Sequence, residues 1–290
     1  MSGQRSNLVH EWPAENVSVV AVGPEGIVAS AGELDLRYRV ASVTKAVVSS
    51  AVLLAVEERA ISLDDPAGPA GSTIRHLLCH ASGLDTDSRA QILEPGRRRI
   101  YSNSGFEILA QHVEAATGII FAEYLAEAIL DPLGMSSTCL DGSAAHGLIS
   151  TAADLSLWAT EMLNPQVLHP SSVGALRTVQ FPELDGILPG FGQQRPNPWG
   201  LGVEIAGTKS PHWTGSSNSE QTFGHFGKSG CFVWVDPIAE LALIGCGDSP
   251  FGGWAAQLWP ELSNAALAEF ADPGRTIPRL ADPTQGGSRE

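Results

Sequence analysis

Basic residues are scarce in this 290-residue chain, where 17 Lys and Arg stand against 32 Asp and Glu to give a net charge of -15. Nucleic acids and anionic membrane surfaces repel a protein with this charge, so neither is expected as a partner. The chain also lacks an apolar run of about 18 residues free of polar interruptions, which argues against a membrane span.

The sequence also has few cysteines, and its opening residues do not resemble a signal peptide. The four cysteines show no C-x-x-C spacing and lie in apolar contexts, so we expect buried thiols, no metal site and no cofactor. The opening MSGQRSNLVHEWPAENVSV has no apolar segment of the signal-peptide type, which predicts a cytoplasmic protein.

Strand patterns occur near both ends of the chain, with helical patterns between them. The runs VSVVAV (17–22) and IVAS (27–30) flank the turn GPEG and predict a hairpin. After Trp199 come WGLGVEIAG, GCFVWVD and ELALIGCG, and the last two are joined by DPIA, which is long enough only for antiparallel neighbours. With a closing helix at about 252–270, this order predicts an α/β fold of the α+β type.

An antiparallel sheet flanked by helices would thus be built from both chain ends, with a mostly helical domain inserted between them. The predicted ranges are 1–62 and 185–290 for the sheet domain, and 63–184 for the helical domain. Clefts form where such domains meet, so we expect the active site between the two.

Ser42 and Lys45 stand at the start of ASVTKAVVSSAVLLAVEE, a segment that is otherwise almost wholly apolar. A helix that is apolar on every side is buried, and a buried ammonium requires a partner. Three residues apart, the two side chains share a helix face, so the amine can reach the hydroxyl. Burial would lower the pKa of Lys45, and the helix N-terminus favours negative charge at Ser42, which together indicate an activated nucleophile.

The alternative is that Ser42 caps a core helix and Lys45 is a solvated surface residue. By chance alone, 28 serines and three lysines would produce about 0.3 S-x-x-K matches, so this motif is weak evidence on its own.

Two further motifs follow along the chain. Tyr101-Ser102-Asn103 precedes an amphipathic helical pattern, and three tyrosines with seven asparagines give only about 0.07 chance Y-x-N matches. The alternative interpretation makes Asn103 a helix N-cap and Tyr101 a wall residue. The triplet His225-Phe226-Gly227 is less specific, since about 0.9 H-x-G matches arise by chance and a lone histidine is more often structural.

Taken in order, these motifs resemble those of the penicillin-recognising serine hydrolases, in the branch that holds class C β-lactamases, D-Ala-D-Ala peptidases and related carboxylesterases. In that branch S-x-x-K, Y-x-N and a K-T-G or H-x-G triplet occur in this order. The stretches LLCHASGL (77–84) and GLISTAADLSLWA (147–159) are also similar, and the resemblance covers about residues 15 to 250. It implies the β-lactamase/transpeptidase-like fold.

The resemblance also implies roles. Ser42 would be the acylated nucleophile, and Lys45 would take its proton, directly or with Tyr101. Asn103 would orient Lys45 and the substrate. The oxyanion would lie between the backbone N–H groups of Ser42 and Lys228.

The third motif is ambiguous, because Lys228-Ser229-Gly230 also looks like a K-T-G triplet three residues later. We favour the register in which His225, Phe226 and Gly227 bind the substrate. A largely neutral His225 and a phenyl ring at Phe226 cannot supply the charged and hydroxyl anchors that hold a substrate carboxylate.

The implied function is therefore a serine hydrolase acting through an acyl-enzyme, with a carboxylesterase on small uncharged esters or related amides as the first hypothesis. A β-lactamase or D-Ala-D-Ala carboxypeptidase is the alternative, and a non-catalytic β-lactamase-like binding protein is the second. The expected partner is a small-molecule ester or amide substrate, and the sequence indicates no oligomeric state.

Overall fold

A six-stranded antiparallel sheet forms the centre of the fold. The structure is a computed structural model that describes residues 11–271. The expectations for the first ten residues and for the Pro- and Gly-rich tail from residue 272 lie outside the described residues. The strands of this sheet are β1 (Val17–Gly23), β2 (Gly26–Ala31), β8 (Glu204–Ile205), β9 (Phe223–Phe226), β10 (Phe232–Asp236) and β11 (Leu241–Gly247). Their spatial order is β2-β1-β11-β10-β9-β8.

Both faces of the sheet are covered, which explains why its central strands are apolar almost throughout. Along β1, Val20 and Val22 belong to one core cluster, while Val19 and Ala21 belong to the cluster on the opposite face. This alternation follows from the two-residue period of a strand. The predicted hairpin, the antiparallel pair β10–β11 and the closing helix are all present.

The remaining elements pack around this sheet and beside the site. The helices are α1 (Thr44–Glu57), α2 (Ile74–Leu78), α3 (Asn103–Thr117), α4 (Phe121–Leu125), α5 (Asp131–Leu133), α6 (Ala152–Leu163), α7 (Pro170–Leu176) and α8 (Gly253–Phe270). The short strands are β3 (Tyr38–Arg39), β4 (Cys139–Leu140), β5 (Leu148–Ser150), β6 (Gly186–Leu188) and β7 (Gly192–Gln194). Helix α1 is central, since 11 of its 14 residues are buried.

Two expectations need correction. WGLGVEIAG forms a strand only at Glu204–Ile205, because the backbone at Gly202 turns with φ +84° and lies against α1. A Cβ there would come within 1.6 Å of the Ser49 hydroxyl oxygen.

The four cysteines are free thiols, but Cys139 is exposed on a short strand rather than buried. None of the described helices has the length and apolarity needed to cross a membrane. The domain boundaries stay a prediction.

Candidate active site

Ser42 lies in the tight turn Ala41–Val43 that leads into α1. The residue before it, Ala41, has φ +47°, a left-handed conformation that costs a non-glycine residue about 1–3 kcal/mol. The turn is held against Gly227, where a Cβ would lie 2.3 Å from the carbonyl oxygen of Val40. Only glycine permits this approach, and it brings the turn after β9, with Lys228, to the cavity that Ser42 lines.

Lys45 is fully buried, so its interpretation as a solvated surface residue is wrong. Its Nζ donates to the carbonyl oxygen of Ala145 at 2.9 Å, to Asn103 Oδ1 at 2.7 Å and to Ser42 Oγ at 3.4 Å. Burial lowers the pKa of Lys45 to about 7, although the carboxylate of Glu107 and then that of Asp87 oppose the shift. Near neutral pH, a large fraction of this amine is therefore unprotonated and can accept a proton.

Tyr101 packs against the same amine, with Lys45 Nζ 4.7 Å from its ring centroid. Its hydroxyl oxygen is shielded from solvent and makes no hydrogen bond among the described residues. Burial raises the pKa of Tyr101, an effect that the nearby Ser42 hydroxyl opposes. At neutral pH the phenol is accordingly protonated and available to donate.

Asn103 is the first residue of α3 and not its N-cap, so the alternative that made it a cap is wrong, whereas Tyr101 does lie in the cavity wall. Ser102 caps the helix, since its Oγ accepts from the backbone N–H of Gly105 at 3.2 Å. The side chain of Asn103 is thus free for other contacts. Its Oδ1 accepts from Lys45, and its Nδ2 donates to Asp87 Oδ1 at 2.6 Å.

His225 lies on β9 with its ring centroid 5.9 Å from that of Tyr101. Its Nδ1–H donates to the carbonyl oxygen of Phe226 at 2.8 Å, so the buried Nε2, which has no partner among the described residues, is an acceptor. Burial, aided by Lys45, lowers the pKa of His225 to about 3. Lys228 is exposed in the following turn. The structure therefore places the His225 imidazole on the strand and the Lys228 ammonium at the edge of the cavity.

His80 packs against Tyr101 and Arg99 is buried close to it in sequence, and the sequence patterns assign neither a role. The His80 ring centroid is 4.5 Å from that of Tyr101, and its Nδ1 accepts from the backbone N–H of Ser102 at 3.1 Å. Arg99 looks like a surface residue within RRRIY, yet it is buried and donates to the carbonyl oxygens of Cys79 at 2.7 Å and Phe181 at 3.0 Å. His80 falls in LLCHASGL, so the only available signal was that resemblance.

One cavity of about 420 Å³ lies beside Ser42. Its polar lining consists of Ser42, Thr86, Tyr101, Asn103, Glu204, His225 and Lys228. The apolar lining includes Leu188, Pro189, Trp199, Phe226 and Phe251. The ring centroids of Phe226 and Phe251 are 4.9 Å apart, and the two rings form an apolar end of the cavity. Trp213 and Phe223 lie in the hydrophobic core and do not line the cavity.

Glu204, which lines the cavity, is the centre of an ionic cluster. This buried carboxylate accepts hydrogen bonds from Lys209, from His212 Nε2 at 2.9 Å and from Trp213 Nε1 at 2.8 Å. Burial alone would raise the pKa of Glu204, but His212 and Lys209 lower it to about 2. Since both carboxylate oxygens are already hydrogen-bonded, the cluster is suited to fixing the wall and not to binding a ligand.

A serine hydroxyl at a cavity floor, beside a buried amine with a pKa near 7 and a protonated phenol, is suited to acyl transfer. The chain belongs to the beta-lactamase family, whose model matches residues 17–246. The family resemblance and the fold predicted from the sequence are thereby confirmed.

Solved structures extend this finding. A beta-lactamase from Mycobacterium bovis is 49% identical with a TM-score of 0.91, covering 92% of this chain and all of that one. The unliganded simvastatin synthase of Aspergillus terreus shares the fold, with 16% identity and a TM-score of 0.75 over 91% of this chain and 96% of that one. EstCE1, a hydrolase with promiscuous acyltransferase activity, also shares it, with 15% identity and a TM-score of 0.73 over 92% of this chain and 98% of that one. Penicillin-binding protein 4* of Bacillus subtilis is 27% identical over 35% of this chain, which spans only 30% of that protein's length.

Proposed function

We propose that the protein is a serine hydrolase that forms an acyl-enzyme, and that its substrates are small uncharged esters or related amides. The observation that carries the proposal is the buried Lys45 amine, whose pKa of about 7 and contact with the Ser42 hydroxyl suit a general base. A binding protein has no use for an ammonium held at such a desolvation cost beside a serine.

The proposed reaction has two halves. Neutral Lys45 accepts the Ser42 proton as Oγ attacks the substrate carbonyl carbon, and the oxyanion is held by the backbone N–H groups of Ser42 and Lys228. The carbonyl re-forms as the bond to the leaving oxygen breaks, and the Lys45 proton passes to this oxygen, either directly or through Tyr101, which donates its own proton and is reprotonated by Lys45. Water then attacks the acyl-enzyme carbonyl carbon and gives a proton to the neutral Lys45. The bond to Ser42 Oγ breaks as this proton passes to Oγ, which releases the acid and restores Ser42.

The preference for uncharged substrates is supported by the composition of the cavity. A cation that bound a substrate carboxylate would contribute about 1.5–3 kcal/mol. Here the strand offers a neutral imidazole at His225 and a phenyl ring at Phe226 instead. Relatives of this fold include a simvastatin synthase and EstCE1, so the fold accommodates chemistry other than β-lactam hydrolysis.

A β-lactamase or D-Ala-D-Ala carboxypeptidase is the second candidate, because two observations favour it. The Mycobacterium bovis structure of 49% identity is named a beta-lactamase. Lys228 also lines the cavity, and its flexible side chain could supply a cation for a substrate carboxylate.

The test is covalent labelling combined with two substrates. A fluorophosphonate should add once, at Ser42, as mapped by peptide mass spectrometry, and Ser42→Ala should abolish both labelling and ester hydrolysis. Short p-nitrophenyl esters should exceed nitrocefin in kcat/KM. Labelling that persists in Ser42→Ala would refute the serine mechanism, and nitrocefin turnover equal to that of the esters would favour the second candidate.

A further inference from the structure

We infer that Asp87 is a positioning and specificity-determining residue of this site, which holds the Asn103 amide toward Lys45 and disfavours anionic substrates at the cavity. The inference rests on the proposed function, because it presumes that Ser42 and Lys45 carry the reaction.

The Asn103 amide lies between Asp87 and Lys45 with a fixed direction. Its Nδ2 donates to Asp87 Oδ1 at 2.6 Å while its Oδ1 accepts from Lys45 Nζ at 2.7 Å. A carboxylate can only accept and an ammonium can only donate, so a flipped amide would be mismatched at both ends. Asp87 therefore sets which end of Asn103 faces the base.

Asp87, although exposed, lies on a segment that is held against the start of α3. The carbonyl oxygen of Thr86 accepts from the backbone N–H of Asn103 at 2.7 Å, and that of Asp85 accepts from Ser102 Oγ at 2.7 Å. Thr86 itself lines the cavity. These contacts fix the backbone next to Asp87, and its carboxylate is held by the Asn103 amide.

Asp87 also places negative charge close to the reacting groups. The titratable groups that act on Lys45 or lie against it are Tyr101, His80, His225, Glu107 and Asp87. The phenol and both imidazoles are uncharged at neutral pH, and Glu107 is further engaged by the Ser143 hydroxyl. Glu204 lines the cavity, but its carboxylate is paired with Lys209 and hydrogen-bonded to His212. The Asp87 carboxylate does not line the cavity, yet its charge acts on Lys45 and Tyr101, so a substrate carboxylate beside these two groups would be repelled.

The test separates charge from positioning with two variants. Asp87→Asn keeps an oxygen that can accept from Asn103 but removes the charge, whereas Asp87→Ala removes both. Glu94→Gln is the matched control, because Glu94 is exposed nearby and neither lines the cavity nor acts on Lys45. The substrate pair is p-nitrophenyl hydrogen glutarate and its methyl ester, which differ by one carboxylate.

We expect Asp87→Asn to raise the kcat/KM ratio of the acid to the methyl ester about fivefold. Because loss of the negative charge lowers the pKa of Lys45, the acidic limb of the pH–rate profile should move to lower pH. Asp87→Ala should show both effects and, in addition, a lower kcat for the methyl ester, about tenfold below that of Asp87→Asn.

Each outcome decides a separate part of the inference. An Asp87→Asn enzyme that behaves like Glu94→Gln in ratio and pH profile overturns the inference. Equal ester turnover in Asp87→Ala and Asp87→Asn overturns the positioning role. Ser42→Ala is measured in parallel: full activity in that variant refutes the proposed function and this inference with it, whereas its inactivity leaves the Asp87 results to stand alone.

Discussion

The Nζ atom of Lys45 lies 3.4 Å from the Oγ atom of Ser42 and has its two shorter hydrogen bonds elsewhere. This geometry suits a base whose position is set by Asn103 and Ala145 and not by its contact with Ser42. Once the amine loses a proton, it can turn its lone pair toward the hydroxyl and still donate to two acceptors.

The first prediction is a pH–rate profile with an acidic limb near pH 7. Activity rises with pH through the pKa of Lys45 because only the neutral amine can accept the Ser42 proton. Lys45→Ala should lower kcat by more than about 100-fold. Lys45→Arg keeps the charge but cannot act as a base near neutrality, so it should be equally inactive, and an active arginine variant would mean that charge alone matters.

The second prediction concerns stability. The pKa of Lys45 is lower in the folded state, so between about pH 7 and the pKa of an unfolded lysine the unfolded state binds more protons. The free energy of unfolding should therefore rise with pH in that window, by at most about 1.4 kcal/mol per pH unit from this group. Urea denaturation at pH 7 and pH 9 should show this rise reduced in Lys45→Met; an identical slope would contradict the shift.

The third prediction tests the ionic cluster at Glu204. Glu204→Leu leaves the Lys209 ammonium buried without its carboxylate and should cost about 3–5 kcal/mol of unfolding free energy. Adding Lys209→Met should recover much of that loss, because the double variant no longer buries a lone charge. A double-mutant cycle by urea denaturation measures the coupling, and additive losses would argue against it.

The fourth prediction concerns the third motif. Phe226→Thr should narrow the preference for neutral p-nitrophenyl esters over nitrocefin, because a hydroxyl at this position can donate to a substrate carboxylate. Lys228→Ala is the companion variant. If wild type hydrolyses nitrocefin as well as the esters and Lys228→Ala selectively loses that activity, the exposed lysine is the anion anchor and the esterase hypothesis gives way.

The residues of this site that the sequence could predict are those that form motifs at short sequence spacing. Ser42 with Lys45, and Tyr101 with Asn103, are pairs at fixed short spacing, and although each is weak evidence alone, their order along the chain carries the family resemblance that predicts their roles. Asp87 was not nominated, because an aspartate in a polar loop has many uses and its contact with Asn103 depends on how that loop meets α3.

The same reasoning explains the other omissions. The cluster at Glu204 depends on three donors that a sequence pattern does not single out, and Arg99 is buried only because it donates to carbonyl oxygens from distant segments. The sheet was predictable because its strands are apolar on both faces. The short extent of β8 was not, since it follows from the close approach of Gly202 to α1.

The contact between Gly227 and Val40 has a consequence for biosynthesis. It joins the turn that carries Ser42 to the turn after β9, near the other end of the described chain. A ribosome-bound chain that ends before β9 would hold Ser42 and Lys45 but not Lys228. If the proposed function holds, the activity should therefore be acquired late in synthesis, after the helical segments have already been made.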